Sequence, residues 1–279
     1  MAFTVVITMY NRPPSDLTLN VIREAGIDVE YVPATTENEV ITAAKDADVL
    51  LVGTVPHTTR KVLEVLPNLK MVGRSGVGVD SVDLDAATEL GICVTNTPGI
   101  NTSEVADHAM AMLLSITRKI PEQNAALKAG WWSDRPKEIA VMRDQLRRIA
   151  GNTVGVFGLG SIGKGFANRV RGFGPEKIIA YDPYVPQTTA DLVGVQMVDF
   201  NTLLAESDYL TVHSPATAET NHIFNIDAFR KMKPTAVFIN CARGPIVDEA
   251  GLQEALQTGE IIAAGIDVTE QEPLDAESP

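Results

Sequence analysis

Short runs of apolar residues alternate with amphipathic stretches along almost the whole chain. Runs such as Val-Leu-Leu-Val at 49–52 and Ala-Val-Phe-Ile-Asn at 236–240 are apolar throughout instead of at every second position. Strands buried on both faces of a parallel sheet have this pattern. The pattern predicts strands at residues 4–8, 29–32, 49–52, 70–73 and 92–95, and again at 153–157, 177–181, 195–198, 209–213, 236–240 and 261–266.

Helical patterns lie between these strands, for instance at 17–25, 37–44 and 60–66, so the sequence predicts two doubly wound α/β domains. The boundary is expected in the Asn-Thr-Pro-Gly-Ile-Asn segment at 96–101, where Pro98 and Gly99 disfavour regular structure. The predicted domains are residues 1–100 and 101–279. A connecting helix over 103–120, apolar on most sides, is expected to be buried and to end at Pro121.

Composition narrows the class of protein. Hydrophobic residues make up 45 % of the 279 and charged residues 21 %, which excludes an intrinsically disordered chain. A net charge of −13 disfavours general binding to nucleic acid or to anionic membranes. Two cysteines, no basic leader segment and no apolar run long enough to span a bilayer predict a cytoplasmic protein.

A glycine-rich turn is the first candidate binding site. Gly158-Leu-Gly160-Ser161-Ile162-Gly163 follows a predicted strand and opens a predicted helix. The first glycine permits a tight turn, the second lets the backbone approach a pyrophosphate, and the third lets the helix pack on the strand. The N–H groups of the first helical turn attract phosphate. The pattern predicts a dinucleotide site, and an ordinary glycine turn is the alternative.

Asp182 lies at the end of the next predicted strand, 19 residues after Gly163. A carboxylate there accepts hydrogen bonds from the adenine ribose and repels a 2′-phosphate. No arginine follows directly in Tyr-Asp-Pro-Tyr-Val, so NAD is favoured over NADP. The alternative is an aspartate that only forms a turn before Pro183.

Further segments carry a resemblance that covers essentially the whole chain. They are Val-Gly-Arg-Ser-Gly-Val-Gly-Val-Asp at 72–80, Asn-Thr-Pro-Gly at 96–99, Thr-Val-His-Ser-Pro at 211–215, Asn-Cys-Ala-Arg-Gly at 240–244, and Gly-Ile-Asp-Val at 265–268 before Glu272-Pro273. Together they resemble the D-isomer-specific 2-hydroxyacid dehydrogenase family, close to its phosphoglycerate dehydrogenase and hydroxypyruvate reductase branches. The resemblance implies a flavodoxin-like substrate domain over 1–100, usually completed by a C-terminal return of the chain, and a Rossmann NAD-binding domain over 101–279.

The resemblance also implies a role for individual residues. Arg243 corresponds to the arginine that grips the substrate carboxylate and polarises its keto oxygen. Glu272 corresponds to the carboxylate that pairs with the catalytic histidine. The turn at Ser75, Gly76, Val77 and Gly78 corresponds to a backbone site for the substrate carboxylate. The remaining correspondences are to cofactor-binding positions, namely His213, Pro215, Cys241, Ala242 and Asp267. No metal is implied.

Each of these roles has a structural alternative. Arg243 could form a surface salt bridge, Glu272 could be an exposed acid before a turn, and the glycines at 76 and 78 could belong to a plain tight turn.

The catalytic histidine of the family falls beyond Pro279. Of the histidines present, His57 and His222 are expected on surface loops, His108 in the buried connecting helix, and His213 beside the cofactor. None is a convincing substitute. A chain that ends at Pro279 is therefore expected to bind NADH and to turn over poorly.

The predicted function is the NAD-dependent interconversion of a D-2-hydroxy acid and its 2-oxo acid. The alternatives are an NAD-sensing protein of the corepressor type, which the family includes, and an impaired fragment that keeps only NAD binding. The resemblance implies a homodimer built on the dinucleotide domain, with residues 121–152 reaching across to the partner. Trp131 and Trp132 in that polar segment are expected to be buried somewhere.

Overall fold

Over residues 3–10 and 12–278, which it describes, the computed structural model has two parallel sheets, one in each of two units. The units are Met1–Asn101 and Thr102–Pro279. Each has its own hydrophobic core on both faces of its sheet.

The first unit contains a five-stranded sheet in the order β2-β1-β3-β4-β5. Its strands are β1 Thr4–Met9, β2 Asp28–Ala34, β3 Val49–Val52, β4 Met71–Arg74 and β5 Cys93–Thr95. Its helices are α1 Asp16–Glu24, α2 Glu37–Ala44, α3 Arg60–Glu64 and α4 Leu84–Glu89. All pairings are parallel, and the order is that of a flavodoxin-like fold.

The second unit contains a six-stranded parallel sheet in the order β11-β10-β9-β6-β7-β8. Its strands are β6 Thr153–Phe157, β7 Lys177–Tyr181, β8 Gln196–Met197, β9 Tyr209–Val212, β10 Val237–Asn240 and β11 Ala263–Ile266. Its helices are α5 Thr102–Arg118, α6 Ile120–Lys128, α7 Trp131–Asp134, α8 Pro136–Asp144, α9 Ser161–Val170, α10 Gln187–Asp191, α11 Phe200–Glu206, α12 Ile226–Phe229 and α13 Glu249–Thr258.

The order of the second sheet is that of a Rossmann fold. The chain begins in the middle with β6, builds outward through β7 and β8, and then returns to build β9, β10 and β11 on the other side. Ligands of such sheets bind at the carboxyl ends of the strands where this reversal occurs, which here is between β6 and β9. The predicted fold class, two doubly wound α/β domains of flavodoxin-like and Rossmann type, is confirmed.

The connecting helix differs from its prediction. Helix α5 ends at Arg118 because Lys119 adopts a left-handed backbone with φ 50°, and α6 then begins with Pro121 in its first turn. Only one face of α5 is buried, through Ala106, Ala109 and Leu113, and that face packs against α9. Small residues on this face let the two helices approach closely, while Glu104, Asp107 and His108 are exposed.

Among the described residues, no helix is long and apolar enough to cross a membrane. The same residues contain no group of three or more histidine, cysteine, aspartate or glutamate side chains arranged to hold a metal ion.

Candidate nucleotide-binding site

The turn after β6 is built by close backbone contacts that only glycine permits. Gly158 has φ +91°, and a Cβ there would lie 2.7 Å from the backbone nitrogen of Ser214. A Cβ at Gly163 would lie 2.2 Å from the carbonyl oxygen of Gly158. The first glycine thus packs against the end of β9, and the third brings α9 down onto the turn. Both would need a backbone shift to accept a side chain.

The middle glycine has a different environment. A Cβ at Gly160 would meet nothing within 4 Å, and its φ of −72° is one that any residue adopts. The space above Gly160 is open, and the N–H groups of Ser161, Ile162 and Gly163 in the first turn of α9 have no acceptor within the helix. An open backbone at the start of a helix is what a pyrophosphate requires. The turn therefore fits a dinucleotide.

Asp182, just after β7, is tied to this turn. Its Oδ2 accepts a hydrogen bond from the backbone N–H of Leu159 at 2.9 Å, and its Oδ1 accepts one from the N–H of Tyr184 at 2.9 Å. The second bond is the turn that the sequence offered as an alternative role. The two roles coexist, because each carboxylate oxygen keeps a further lone pair for a ribose hydroxyl. The bond to Leu159 was not predicted.

His213 follows β9 directly and borders Gly158. Its Nε2 lies 3.0 Å from Oγ1 of Thr211, and its ring lies 5.6 Å from that of Phe166. Burial lowers the pKa of His213 to about 3, so the ring is neutral near pH 7. In the described part of the chain, His213 Nδ1 and Ser214 Oγ are buried with no hydrogen-bond partner. Polar atoms left unpaired beside the glycine turn are consistent with a polar ligand there.

Three predicted residues form the turn after β10. Cys241 is buried, with its Sγ 3.5 Å from Sδ of Met112, and burial together with the charge of Asp267 raises its pKa to about 12. The backbone N–H of Ala242 donates to Oδ1 of Asn240 at 3.0 Å. The Nδ2 of the same asparagine donates to the carbonyl oxygen of Arg243 at 2.9 Å. Asn240 therefore fixes the backbone that presents the arginine, a role that sequence reasoning missed.

Asp267 follows β11, next to this turn in the sheet. Its backbone N–H donates to the carbonyl oxygen of Asn240 at 3.0 Å, and its Oδ1 lies 3.1 Å from Nε2 of His108 on α5. His108 was expected to be a buried structural residue, but its side chain is half exposed. The pair joins residues 159 positions apart, so local sequence pattern gave no signal of it.

Glu272 and Pro215 lie further from the strand ends. Glu272 is exposed, and its Oε1 accepts a hydrogen bond from the N–H of Thr269 at 3.2 Å. Pro215 is exposed as well, and its carbonyl oxygen accepts a hydrogen bond from Oγ1 of Thr220 at 2.8 Å.

The predicted turn of the first unit follows β4. The Ser75 N–H donates to the Val52 carbonyl at 2.9 Å, and the Gly76 N–H donates to the carbonyl of Arg74 at 2.9 Å. Within the described part of this unit, the N–H groups of Val77 and Gly78 donate to no protein acceptor. Two of the four predicted N–H groups are thus committed to the fold, and two are open to a ligand.

The second unit therefore assembles most of the predicted residues at one edge. The turns after β6, β7, β9, β10 and β11 all leave the carboxyl ends of parallel strands.

Comparison with known proteins identifies the family. Residues 110–279 match the model of the D-isomer specific 2-hydroxyacid dehydrogenase, NAD binding domain. This match covers more than half of the chain. The chain belongs to the D-isomer specific 2-hydroxyacid dehydrogenase family. The predicted family is thereby confirmed, and so is NAD as the cofactor, because the matched domain is an NAD-binding one.

The chain is 41 % identical over 262 residues to D-3-phosphoglycerate dehydrogenase of Methanocaldococcus jannaschii, which covers 94 % of this chain and 48 % of that protein. It is 39 % identical over 267 residues to D-3-phosphoglycerate dehydrogenase of Archaeoglobus fulgidus, which covers 96 % and 49 %. The chain thus spans about half the length of these curated relatives.

Solved structures of two enzymes are also similar to this chain. D-lactate dehydrogenase from Aquifex aeolicus, complexed with NAD and lactic acid, has a TM-score of 0.82 and 30 % identity over 96 % of this chain and 78 % of that one. A glyoxylate reductase from Paecilomyes thermophila has a TM-score of 0.87 and 26 % identity over 99 % and 84 %.

Proposed function

We propose that the protein is an NAD-dependent oxidoreductase that interconverts a D-2-hydroxy acid and its 2-oxo acid. One observation carries this proposal. Arg243 follows β10, and the glycine turn follows β6, with only β9 between these strands in the sheet. A permanent cation therefore stands at the same strand edge as the pyrophosphate site. Relatives named for the oxidation or reduction of hydroxy and oxo acids support the same reaction.

The proposed chemistry at Arg243 follows from its guanidinium. Its planar fork binds a carboxylate through two parallel hydrogen bonds and stays charged at every physiological pH. A third donor polarises the neighbouring keto oxygen, on which negative charge develops during reduction. NADH, when bound, supplies the hydride. Arg243 therefore acts as the residue that orients and activates the 2-oxo acid.

The proton that completes the reduction needs an acid. His213 cannot supply it near pH 7, because burial holds its pKa at about 3. The family resemblance implies that a histidine paired with Glu272 supplies it. An adjacent carboxylate raises the pKa of a histidine, so that it is protonated when the alkoxide forms.

The first unit is assigned the substrate role. The N–H groups of Val77 and Gly78, which donate to no protein acceptor in the described part of the unit, are suited to an anionic substrate group. The proposed substrate domain is residues 1–100 and the proposed NAD domain 101–279.

We further infer a cytoplasmic homodimer. Helices α6, α7 and α8 bury a single described side chain, Ala126, in their own chain. Trp132 is 64 % exposed, and Ile120, Leu127 and Val141 are each more than half exposed. Large apolar side chains clustered in one segment favour burial against a second copy. Light scattering at micromolar concentration is expected to give twice the mass of the chain, and a monomer would refute the assembly.

The decisive experiment is an activity assay with the product of the complete coding sequence. Oxidation of NADH is measured at 340 nm with glyoxylate, hydroxypyruvate, pyruvate and 3-phosphohydroxypyruvate. We expect turnover with at least one of them, and chiral analysis should show the D-hydroxy acid. Tight NADH binding without turnover on any 2-oxo acid would instead favour the NAD-sensing alternative.

A further inference from the structure

The loop after β11, residues 267–272, is docked on the turn that carries Arg243. A Cβ at Gly244 would lie 1.9 Å from the carbonyl oxygen of Thr269 and 2.5 Å from the nitrogen of Glu270. The two backbones are therefore in direct contact immediately after the arginine. Because Glu272 belongs to the same loop, whatever holds this loop also sets where Glu272 stands.

A reciprocal pair of hydrogen bonds holds the loop to α13. The backbone N–H of Glu270 donates to Oε1 of Glu249 at 2.7 Å, and the backbone N–H of Glu249 donates to Oε1 of Glu270 at 2.7 Å. Each carboxylate is thus aligned by the other residue's backbone. This arrangement brings two like charges into one small region, which by itself is unfavourable.

His222 supplies the third contact. Its Nε2 lies 3.1 Å from Oε2 of Glu270, the oxygen not used by Glu249. Its own backbone N–H donates to the carbonyl oxygen of Pro245, next to Gly244, at 2.8 Å. The residue is therefore anchored beside the Arg243 turn, and its ring reaches the loop.

The backbone of His222 lies in the left-handed region, with φ 49°. A residue with a Cβ is less stable there than glycine by about 1–2 kcal/mol. The contact with Glu270 is half exposed, and half-exposed polar pairs contribute little to overall stability. The contribution of His222 to overall stability therefore does not explain a histidine at this position. Its contact with the loop does.

We propose that His222 is a positioning residue that, through Glu270, holds the loop 267–272 and its Glu272 against the Arg243 turn. The ring places Nε2 within hydrogen-bond distance of the second carboxylate oxygen of Glu270, so that its N–H holds that carboxylate in place. The consequence for the reaction rests on the proposed function, since it requires that Glu272 act in the chemical step.

The test compares His222→Gly with Lys119→Gly in the complete protein. Both replace a left-handed residue by glycine and relieve the same backbone strain, but only the first removes the contact with Glu270. We expect neither substitution to lower the melting temperature. In His222→Gly, amide hydrogen exchange at Thr269 and Glu270 should speed up about tenfold, with the Kd for NADH within twofold of the parent. Unchanged exchange at these two amides would overturn the proposal.

Kinetic measurements then distinguish a residue that positions Glu272 for the reaction from one that only stabilises the loop. We expect kcat with the best 2-oxo acid to fall about tenfold in His222→Gly, with KM within threefold, because misplacement of a reacting group slows the chemical step. Adding His222→Gly to Glu270→Ala should change nothing further, since the histidine acts through that glutamate. Two outcomes would refute the positioning role of His222. One is faster hydrogen exchange with a parental kcat, and the other is independent effects of the two substitutions on kcat in the double variant. If the parent shows no turnover, the proposed function fails, and hydrogen exchange still decides whether His222 holds the loop.

Discussion

The carboxylate of Asp182 accepts a hydrogen bond at 2.9 Å from the backbone N–H of Leu159, the residue between the first two glycines of the nucleotide turn. One side chain thus reaches from the end of β7 to the turn after β6. The residue expected to select the cofactor also fixes the shape of the loop that receives its phosphates.

Substitution of Asp182 should therefore affect both functions. We expect Asp182→Ala to raise the Kd for NADH at least tenfold, because it removes the ribose acceptor and an anchor of the turn, and to improve NADPH relative to NADH. Asp182→Asn keeps an oxygen for the Leu159 N–H and removes only the charge, so it should lose less NADH affinity. Fluorescence titration with both cofactors measures this. Equal affinity of the unmutated protein for NADH and NADPH would contradict the assignment.

The glycines of the turn offer a matched pair of substitutions. Gly163→Ala places a Cβ 2.2 Å from the Gly158 carbonyl, so α9 must move, and we expect a stability loss of about 1–3 kcal/mol. Gly160→Ala places a Cβ in open space, so the fold should keep its stability while NADH affinity falls at least tenfold. Urea unfolding and NADH titration of both variants test this. Parental NADH affinity in Gly160→Ala would mean that the pyrophosphate binds elsewhere.

Arg243 should matter to the 2-oxo acid and little to the cofactor. Loss of a desolvated, paired charge costs about 2–5 kcal/mol, so kcat/KM for the acid should fall by roughly 1.5 to 3.5 orders of magnitude in Arg243→Ala. Arg243→Lys should fail nearly as badly, because an ammonium group cannot form the bidentate contact. The Kd for NADH serves as the internal control, and unchanged turnover in either variant would remove Arg243 from the mechanism.

The half-buried His213 makes stability depend on pH. Its pKa is lowered to about 3 in the folded protein, against an ordinary value near 6.5. Between these values the unfolded chain binds a proton that the folded chain does not, so the free energy of unfolding falls as the pH drops below about 6.5, by up to about 1.4 kcal/mol per pH unit. His213→Gln should flatten this slope. Denaturant titrations of the parent and the variant from pH 4.5 to 7.5 measure it, and an unchanged slope in the variant would contradict the assignment.

The two thiols should differ in reactivity. Burial and the charge of Asp267 raise the pKa of Cys241 to about 12, so almost none of it is thiolate at pH 8, whereas Cys93 is exposed. An aromatic disulfide reagent at pH 8 should modify one thiol rapidly, and Cys93→Ser should abolish that phase. A rapid phase that survives Cys93→Ser would show that Cys241 is accessible.

Much of the fold follows from sequence pattern. Fully apolar runs predicted strands in both parallel sheets, because a strand that is covered on both faces carries apolar side chains on both. The first and last residues of the helices were harder to predict. The left-handed backbone of Lys119 ends α5 at Arg118, before the Pro121 at which the sequence predicted its end, and no residue type at position 119 indicates this.

The candidate site was predictable where chemistry is local and not where it depends on distant contacts. The glycine spacing and Asp182 could be found because turn, helix and next strand are consecutive. The His108–Asp267 pair and the Glu249–Glu270 bonds could not, since each joins separate elements whose proximity only the folded sheet creates. The same holds for His222. The polar sequence around it is typical of an ordinary surface turn, and only its backbone angle and its contact with Glu270 indicate a role.

The packing of Gly158 against the backbone of Ser214 also bears on how the protein is made. The two residues are 56 positions apart, and β6 has its partner β9 only after β7 and β8 have been synthesised. A nascent chain that has exposed the glycine turn but not residue 214 has no rigid cradle for the nucleotide. Non-local pairing of this kind slows folding. NAD should therefore leave the refolding rate unchanged and slow unfolding, because it binds the folded domain and does not assist its formation.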